Sequence, residues 1–251
     1  MGRAFALSIA GFDPSAGAGI LADIKTFEQC GVYGLAACSA LTAQTDLEFR
    51  SVKWLSFDDI QTQLEGLFER FREIAAVKIG LIENLEVLSR VVYLVKRHWP
   101  NSPIVWDPIA EASSGFKFHA DFKGAYDKGL LKSISVVTPN RLEALSFVKS
   151  ESPQAAARAL SRECAVILKG GHSQGESCED ILFQDGRETV FSKKRQEGAS
   201  AKKHGSGCVY SAALCAALAR GKALEEACAS AQDYAWNFLG SNGSLLGYHS
   251  P

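Results

Sequence analysis

Short apolar runs alternate with longer amphipathic segments along most of this chain. The runs whose length and composition predict buried strands are 5–10, 35–42, 77–80, 104–106, 136–138 and 166–169. The segments that predict helices are 20–30, 58–75, 83–99, 207–219 and 222–239. Two further short runs, 181–184 and 188–191, flank Asp185-Gly186, a dipeptide typical of a tight hairpin turn. The alternation predicts a single α/β domain over residues 1–251, with a mainly parallel sheet between two layers of helices.

Three of the predicted strands run directly into polar or glycine residues. Asp107-Pro108, Pro139-Asn140 and Gly170-Gly171 each follow a buried run without an intervening loop. In parallel α/β sheets, ligands bind at the carboxyl ends of the strands, where the loops are free to carry chemistry. These three segments are therefore candidates for a functional site.

Composition narrows the class of protein. Of 251 residues, 47% are apolar and 22% are charged, which is ordinary for a globular protein. The 27 basic and 28 acidic residues leave a net charge of −1, so neither a nucleic-acid surface nor a membrane surface is favoured. The seven cysteines form no C-x-x-C pair, which indicates a reducing compartment. No apolar stretch approaches the roughly 18 residues of a membrane span, so a cytoplasmic protein is predicted.

Several common nucleotide and hydrolase motifs are absent or incomplete. Gly17 to Ala22 matches G-x-G-x-x-A, but Gly11 to Ala16 separate it from the preceding strand and no acidic residue follows at the expected distance. A flexible turn explains that segment equally well. The chain contains no G-x-x-x-x-G-K-[ST] or H-E-x-x-H motif, which argues against P-loop enzymes and one large class of metal-dependent hydrolases.

The segment from His204 to Cys208 is the most distinctive of the chain. Glycines at 205 and 207 let successive backbone N–H groups point into one concavity, and the helix that follows adds the positive end of its dipole. This arrangement suits a phosphate or an oxyanion. Cys208 falls in the first turn of that helix, so its pKa is predicted to be lowered. A small buried cysteine at a helix start is the structural alternative.

Two sets of oxygen ligands stand apart from that segment. Asp107 is placed at a strand end, and Asn140 and Glu143 are three residues apart at the start of a predicted helix. Carboxylate and amide oxygens of this kind suit Mg²⁺ together with phosphate and water. For Asn140 and Glu143 the alternative is a helix cap of the capping-box type, which on its own explains the spacing better.

Taken in chain order, these motifs resemble the ribokinase-like superfamily, and specifically the hydroxymethylpyrimidine/phosphomethylpyrimidine kinases of thiamine biosynthesis. The resemblance covers essentially the whole chain. The motifs that carry it are 10–20 (AGFDPSAGAGI), 22–27 (ADIKTF), 31–34 (GVYG), 40–45 (ALTAQT), 78–80 (KIG), 107–109 (DPI), 138–140 (TPN) with Glu143, 169–172 (KGGH) and 204–208 (HGSGC).

The resemblance implies a ribokinase-like three-layer fold and an enzyme that uses ATP and Mg²⁺. The substrate class implied is 4-amino-5-hydroxymethyl-2-methylpyrimidine, which is phosphorylated first to the monophosphate and then to the diphosphate. A homodimer that acts on a small molecule, with no nucleic-acid or membrane partner, is also implied.

Roles for individual residues follow from the same resemblance. On the substrate side, Asp23 and Gln44 would hold the pyrimidine, while Gly11, Leu81 and Ile109 would line the ring pocket. Cys208 would be the general base, and the residues that stabilise the transferring phosphoryl group would be Gly205, Ser206 and Gly207. The residues that would organise Mg²⁺ and the nucleotide are Asp107, Glu143, Asn140 and Lys169.

Three other functions remain open at this point. A pyridoxal or pyridoxine kinase would carry out the same reaction on a related aromatic alcohol. A thiol hydrolase would pair Cys208 with His204, although their spacing does not predict that the two side chains meet. A catalytically silent ligand sensor with the same fold is the third.

Overall fold

A computed structural model of the chain describes residues 2–112, 115–118, 122–127, 129–170, 176–196, 198 and 203–250. Gly171 and His172, which belong to one of the sequence motifs, lie outside these ranges. Nine strands among the described residues form one sheet. They are β1 Phe5–Phe12, β2 Tyr33–Gln44, β3 Phe49–Trp54, β4 Ala76–Ile79, β5 Ile104–Trp106, β6 Val136–Val137, β7 Ala165–Leu168, β8 Ser177–Gln184 and β9 Arg187–Lys194.

The strands lie in the order β3-β2-β1-β4-β5-β6-β7-β8-β9. Six neighbouring strands are parallel to one another, namely β2, β1, β4, β5, β6 and β7. At the edges, β3 pairs antiparallel with β2, β8 pairs antiparallel with β7, and β9 completes the predicted hairpin with β8. Buried strands of parallel sheets are apolar on both faces, which explains why the central strands were visible as continuous apolar runs.

Helices cover both faces of the sheet. Their bounds are α1 Gly19–Gln29, α2 Phe57–Arg70, α3 Leu85–His98, α4 Lys123–Asp127, a 3₁₀ turn Leu130–Ser133, α5 Arg141–Phe147, α6 Pro153–Leu160, α7 Ser206–Ala219 and α8 Leu224–Gly240. One face packs against α2 to α6 through a cluster that includes Leu7 and Val77. The other packs against α1, α7 and α8 through a cluster that includes Ala6 and Ala76. The predicted three-layer α/β fold is confirmed.

The largest differences from the predicted elements have simple causes. β3 was missed because its charged and polar residues, which lie at the sheet edge, interrupt any apolar pattern. α2 ends at Arg70 rather than continuing to residue 75, yet Ile74 is still buried in the same core from an irregular segment. No helix in the described ranges is long and apolar enough to cross a membrane.

Candidate active site

Two helix starts and several strand ends meet at one edge of the sheet. α1 begins at Gly19, after the loop that follows β1, and α7 begins at Ser206. The two loops are in backbone contact, because a Cβ added at Gly205 would lie 2.0 Å from the carbonyl oxygen of Gly17. The carboxyl ends of the parallel strands β4 to β7 face the same edge. This edge is where the sequence places its candidate residues.

The glycine-containing segment before α7 forms an open helix start. Gly205 precedes the helix in the left-handed conformation, with φ of +74°, which favours glycine. The first helical hydrogen bond runs from Val209 N–H to the Gly205 carbonyl at 2.9 Å. The N–H groups of Ser206, Gly207 and Cys208 consequently have no acceptor within the helix and are available to an anion. We call residues 205–208 the anion nest.

Lys169 adds a positive charge at the anion nest. Its ammonium lies 3.5 Å from where a Cβ on Gly207 would stand. Burial opposes that charge, but Asp107 and Glu143 outweigh it and keep the pKa of Lys169 above its ordinary value. The ammonium also donates to the Asp107 carboxylate at 2.7 Å. A phosphoryl group at the nest would thus meet both backbone N–H groups and a cation.

Cys208 is placed as expected, but its acidity is the reverse of the prediction. The side chain is buried, and burial raises the pKa of the thiol to about 11. The positive charge of Lys78 and the N–H group of Gly19 oppose that rise, whereas Asp107 and Asp23 add to it. The lowered pKa predicted from the helix start is therefore wrong, because desolvation of the thiolate exceeds the helix dipole effect.

His204 turns away from Cys208. Its ring nitrogen Nε2 lies 2.8 Å from Oδ2 of Asp13, a fully buried carboxylate in the loop after β1. The described contacts therefore supply no cysteine–histidine dyad, and the thiol hydrolase alternative loses its main support.

Asp107 joins three elements at the centre of this edge. Its Oδ1 accepts from Lys169 and, at 3.0 Å, from the hydroxyl of Thr138, while its Oδ2 accepts from Ser211 of α7 at 3.0 Å. The side chain is almost fully buried. Thr138 and Ser211 were not predicted as site residues, since a single hydroxyl in a buried strand or helix carries no pattern.

Asn140 and Glu143 form the capping box that their spacing predicts. The Asn140 side chain accepts from the N–H groups of Leu142 and Glu143, both at 2.9 Å, and Glu143 accepts from the Asn140 N–H at 2.7 Å. Burial raises the pKa of Glu143 to about 7, with Lys169 opposing the shift and Asp107 adding to it. The cap interpretation is confirmed, and it leaves a buried carboxylate beside the Lys169–Asp107 pair.

The raised pKa of Glu143 makes stability depend on pH. Between pH 4.5, the ordinary pKa of a glutamate, and about pH 7, Glu143 is protonated in the folded state but ionised in the unfolded state. The free energy of unfolding therefore falls as the pH rises through this range. Above pH 7 the penalty is about 3 kcal/mol. We expect Glu143→Gln to have a higher Tm than the parent at pH 8 and a much smaller difference at pH 4.

Thermal unfolding across this pH range checks the expectation. The matched control is Glu86→Gln, which changes an exposed residue in the first turn of α3 and should leave the pH dependence unchanged. Parallel curves for Glu143→Gln and the parent would contradict the assignment.

Four of the five predicted substrate residues surround the ends of β1, β2 and β4. A Cβ on Gly11 would lie 3.1 Å from Leu81, and one on Gly80 would lie 3.9 Å from Ile109. Gln44, half-buried at the end of β2, donates to the Thr42 hydroxyl at 2.9 Å. The resemblance predicts the ring pocket at these residues, with Gln44 as its polar member.

Asp23 does not join this pocket. It is fully buried under the sheet edge, where Oδ1 pairs with the Lys78 ammonium at 2.5 Å and Oδ2 accepts from Ser8 at 2.6 Å. Burial raises the pKa of Asp23, with Lys78 opposing the shift. Direct contact of Asp23 with a ring is therefore not supported, because both oxygens are engaged and the side chain has no exposed surface.

Comparison with known proteins agrees with this arrangement. The sequence profile of the phosphomethylpyrimidine kinase family matches residues 13–251. The chain belongs to this family. A hydroxymethylpyrimidine/phosphomethylpyrimidine kinase of Haemophilus influenzae is 38% identical over 241 residues, which cover 91% of this chain and 88% of the relative. One from Aquifex aeolicus is 36% identical over 237 residues, 91% of each chain.

Solved structures of related kinases support the fold and the nucleotide. The phosphomethylpyrimidine kinase of Clostridium difficile has 30% identity and a TM-score of 0.74, covering 92% of this chain and 97% of its own. A Staphylococcus aureus pyridoxal kinase in complex with AMP-PCP and pyridoxal has 27% identity and a TM-score of 0.80, covering 96% and 89%. Membership confirms the predicted ribokinase-like kinase, and the AMP-PCP complex of that relative supports ATP as the phosphoryl donor.

Two charged site residues of this kinase family member were missed from the sequence. Asp13 and Lys78 both lie in motifs that carry the resemblance, but neither was assigned a role. An Asp-Pro-Ser sequence directly after a strand signals a side-chain-stabilised turn, and that signal identifies Asp13. A lysine within the apolar run at 77–80 signals a buried charge that needs a partner, and that signal identifies Lys78.

Proposed function

We propose that the chain transfers the terminal phosphoryl group of ATP to the hydroxymethyl group of 4-amino-5-hydroxymethyl-2-methylpyrimidine, and then phosphorylates the monophosphate to the diphosphate. One observation carries the proposal. Cys208, whose thiolate form could accept a proton, and the anion nest occupy the same first turn of α7, with Lys169 beside them. Phosphoryl transfer to an alcohol needs both groups within one site.

Each group has a defined part in the first transfer. The alcohol oxygen attacks the terminal phosphorus, the bond to the bridging oxygen of ATP breaks, and ADP leaves. The thiolate form of Cys208, which is a small fraction at neutral pH because burial raises the pKa of the thiol to about 11, takes the proton of the alcohol and becomes the thiol. The N–H groups of Ser206 and Gly207 and the ammonium of Lys169 hold the charge that spreads over the transferring phosphoryl oxygens, and such electrostatic stabilisation dominates this class of reaction.

Mg²⁺ fits the charge balance beside the nest. Asp107 and Glu143 carry two buried carboxyl groups that Lys169 balances only in part, and Asp107 adds to the rise in the pKa of Glu143. No group of three His, Cys, Asp or Glu side chains in the described ranges could hold a metal ion unaided. Asp107 and Glu143 would therefore hold Mg²⁺ jointly with ATP, with Asn140 at the same helix start. When bound, the ion neutralises phosphate charge during transfer.

The ring pocket favours an aminopyrimidine. Gln44 offers both an amide donor and an amide acceptor, which complement a ring nitrogen beside an exocyclic amine. Gly11, Leu81 and Ile109 supply the apolar walls. A pyridoxal kinase function remains the second candidate, favoured by the pyridoxal complex of the S. aureus structure with its TM-score of 0.80.

The test is ADP production by the purified protein with ATP and Mg²⁺. Hydroxymethylpyrimidine, its monophosphate and pyridoxal are compared with a reaction that lacks acceptor. We expect turnover of both pyrimidines and little with pyridoxal. Preference for pyridoxal would favour the second candidate, and no turnover with any acceptor would contradict the proposal.

We also propose that the protein acts as a homodimer in the cytoplasm. The dimer follows from the family resemblance. The exposed apolar residues Leu41 and Leu47 are consistent with it, because they leave apolar surface beside the edge strand β3. Light scattering of the purified protein decides between monomer and dimer.

A further inference from the structure

Asp13 accepts several backbone hydrogen bonds within the loop that precedes α1. Its carboxylate is fully buried and accepts from the N–H groups of Ser15 at 2.9 Å, Gly17 at 3.2 Å and Ala18 at 2.8 Å. Burial alone would raise the pKa of Asp13, but the hydrogen bonds from His204, Ser15 and the backbone hold it below its ordinary value. The loop 13–19 is therefore wrapped around one carboxylate.

His204, in the loop that precedes α7, binds the same carboxylate. Its Nε2 lies 2.8 Å from Asp13 Oδ2, across 191 residues of sequence. Because the Asp13 carboxylate accepts, the proton of that hydrogen bond is on Nε2. The His204 backbone N–H in turn donates to the Leu245 carbonyl at 2.9 Å, so the histidine is held from both sides. His204 directly precedes the anion nest.

The two loops approach so closely that no side chain fits between them. A Cβ on Gly205 would lie 2.0 Å from the Gly17 carbonyl oxygen, and a Cβ on Gly17 would lie 2.5 Å from the His204 ring. Backbone therefore packs directly on backbone here. The Asp13–His204 hydrogen bond is the directional contact that sets how the two surfaces meet.

This packing determines a contact at the reacting thiol. Gly19, at the end of the loop 13–19, has φ of +59°, and its backbone N–H is near enough to Cys208 to oppose the rise in the pKa of the thiol. An N–H group aimed at sulfur favours the thiolate over the thiol. Moving the loop relative to α7 would remove that donor and would also disturb the N–H groups of the nest.

We infer that the Asp13–His204 pair is a positioning pair for phosphoryl transfer. It fixes the loop 13–19 on the first turn of α7, so that the Gly19 N–H reaches Cys208 and the anion nest stays open to the phosphoryl group. The inference rests on the proposed function for its kinetic consequence. Neither residue contacts the reacting atoms, and both act through Gly19 and the nest.

The experiment compares His204→Leu with His204→Gln. Leucine removes the donor, whereas the glutamine amide nitrogen can replace Nε2. We expect His204→Leu to lower kcat about 100-fold, the scale of a 1 Å misplacement, with the KM for ATP changed less than about threefold. We expect His204→Gln to stay within about tenfold of the parent. The control is His98→Gln, a histidine stacked on Phe68 far along α3 from this edge.

A second readout separates positioning from a general loss of structure. The rate of Cys208 alkylation by iodoacetamide, followed by peptide mass spectrometry against pH, reports the acidity of the thiol. The charged groups that interact with Cys208, namely Lys78, Lys169, Asp107 and Asp23, are unchanged in both His204 variants. We expect the alkylation profile of His204→Leu to move to higher pH and that of His204→Gln to stay near the parent.

The outcomes are distinct. A kcat of His204→Leu near the parent value, or an unchanged alkylation profile, would overturn the inference. If His204→Leu does not fold, Asp13→Asn takes its place, since asparagine keeps an acceptor but loses the charge. If the parent protein phosphorylates neither pyrimidine, the proposed function fails, while the alkylation profile still tests the coupling of Asp13 and His204 to Cys208.

Discussion

Replacing Cys208 with Ala should lower kcat for phosphorylation of the hydroxymethyl alcohol by roughly 10²–10⁴-fold, the range that a general base contributes. The KM for ATP should change little, because the backbone N–H groups of the nest and Lys169 remain. The loss should be smaller with the monophosphate as acceptor, since its attacking oxygen is already an anion. Steady-state kinetics with both acceptors measure the difference.

The acidity of Cys208 gives the same prediction a pH signature. With a pKa of about 11, the fraction of thiolate at pH 7 is about 10⁻⁴. The rate for the alcohol should therefore rise about tenfold per pH unit between pH 7 and 9, whereas the rate for the monophosphate should rise less.

Cys215→Ala is the matched control for Cys208→Ala. Cys215 is fully buried in the same helix, in the apolar cluster beneath the sheet. Its replacement removes a thiol of the same helix without touching the nest. Equal losses of kcat in the two variants would contradict the assignment of Cys208 as the base.

Replacing Lys78 with Met should destabilise the protein by about 3–5 kcal/mol, because it leaves the Asp23 carboxylate buried without its partner. Both side chains are fully buried, and Lys78 Nζ lies 2.5 Å from Asp23 Oδ1. In the variant Asp23 is ionised in the unfolded state but resists ionisation in the folded state, so the folded state loses stability as pH rises. Urea unfolding at pH 5 and pH 8 measures both effects.

A double replacement tests whether the loss of stability comes from the unpaired charge of Asp23. Lys78→Met with Asp23→Leu removes both charges and should recover much of the lost stability, as apolar replacements of buried ion pairs do. Lys132→Met is the control, since that lysine pairs with Glu163 at 3.6 Å on the surface and is 71% exposed. The free energy of unfolding of Lys132→Met should fall by no more than about 1 kcal/mol. A double variant as unstable as Lys78→Met would contradict the pairing.

The parts of the fold that the sequence predicted are those where one pattern dominates. Strands buried on both faces are apolar throughout, so β1, β4, β5 and β7 were found to within two or three residues. β3 is an edge strand without a fully buried residue, in which Arg50, Ser51 and Lys53 are exposed, so neither an apolar run nor a regular alternation marks it. Edge strands are recognised by what they pair with.

The features of the site were likewise predictable where they depend on neighbouring residues, and not where they depend on distant ones. The anion nest and the capping box at Asn140 depend on residues close in sequence, and their geometry followed from spacing alone. The acidity of Cys208 depends on how deeply α7 is buried, which no local pattern contains. The same limit applies to Asp23 in α1, whose partner Lys78 is in β4, 55 residues away.

The contact between Asp13 and His204 also bears on how the protein folds. It joins positions 191 residues apart, and such long-range closure is among the slower steps in forming a native topology. The sheet strands can pair with nearer neighbours, but the loop 13–19 meets the nest only once α7 has been synthesised. A nascent chain that ends before residue 204 therefore has the loop but lacks the nest against which the loop packs.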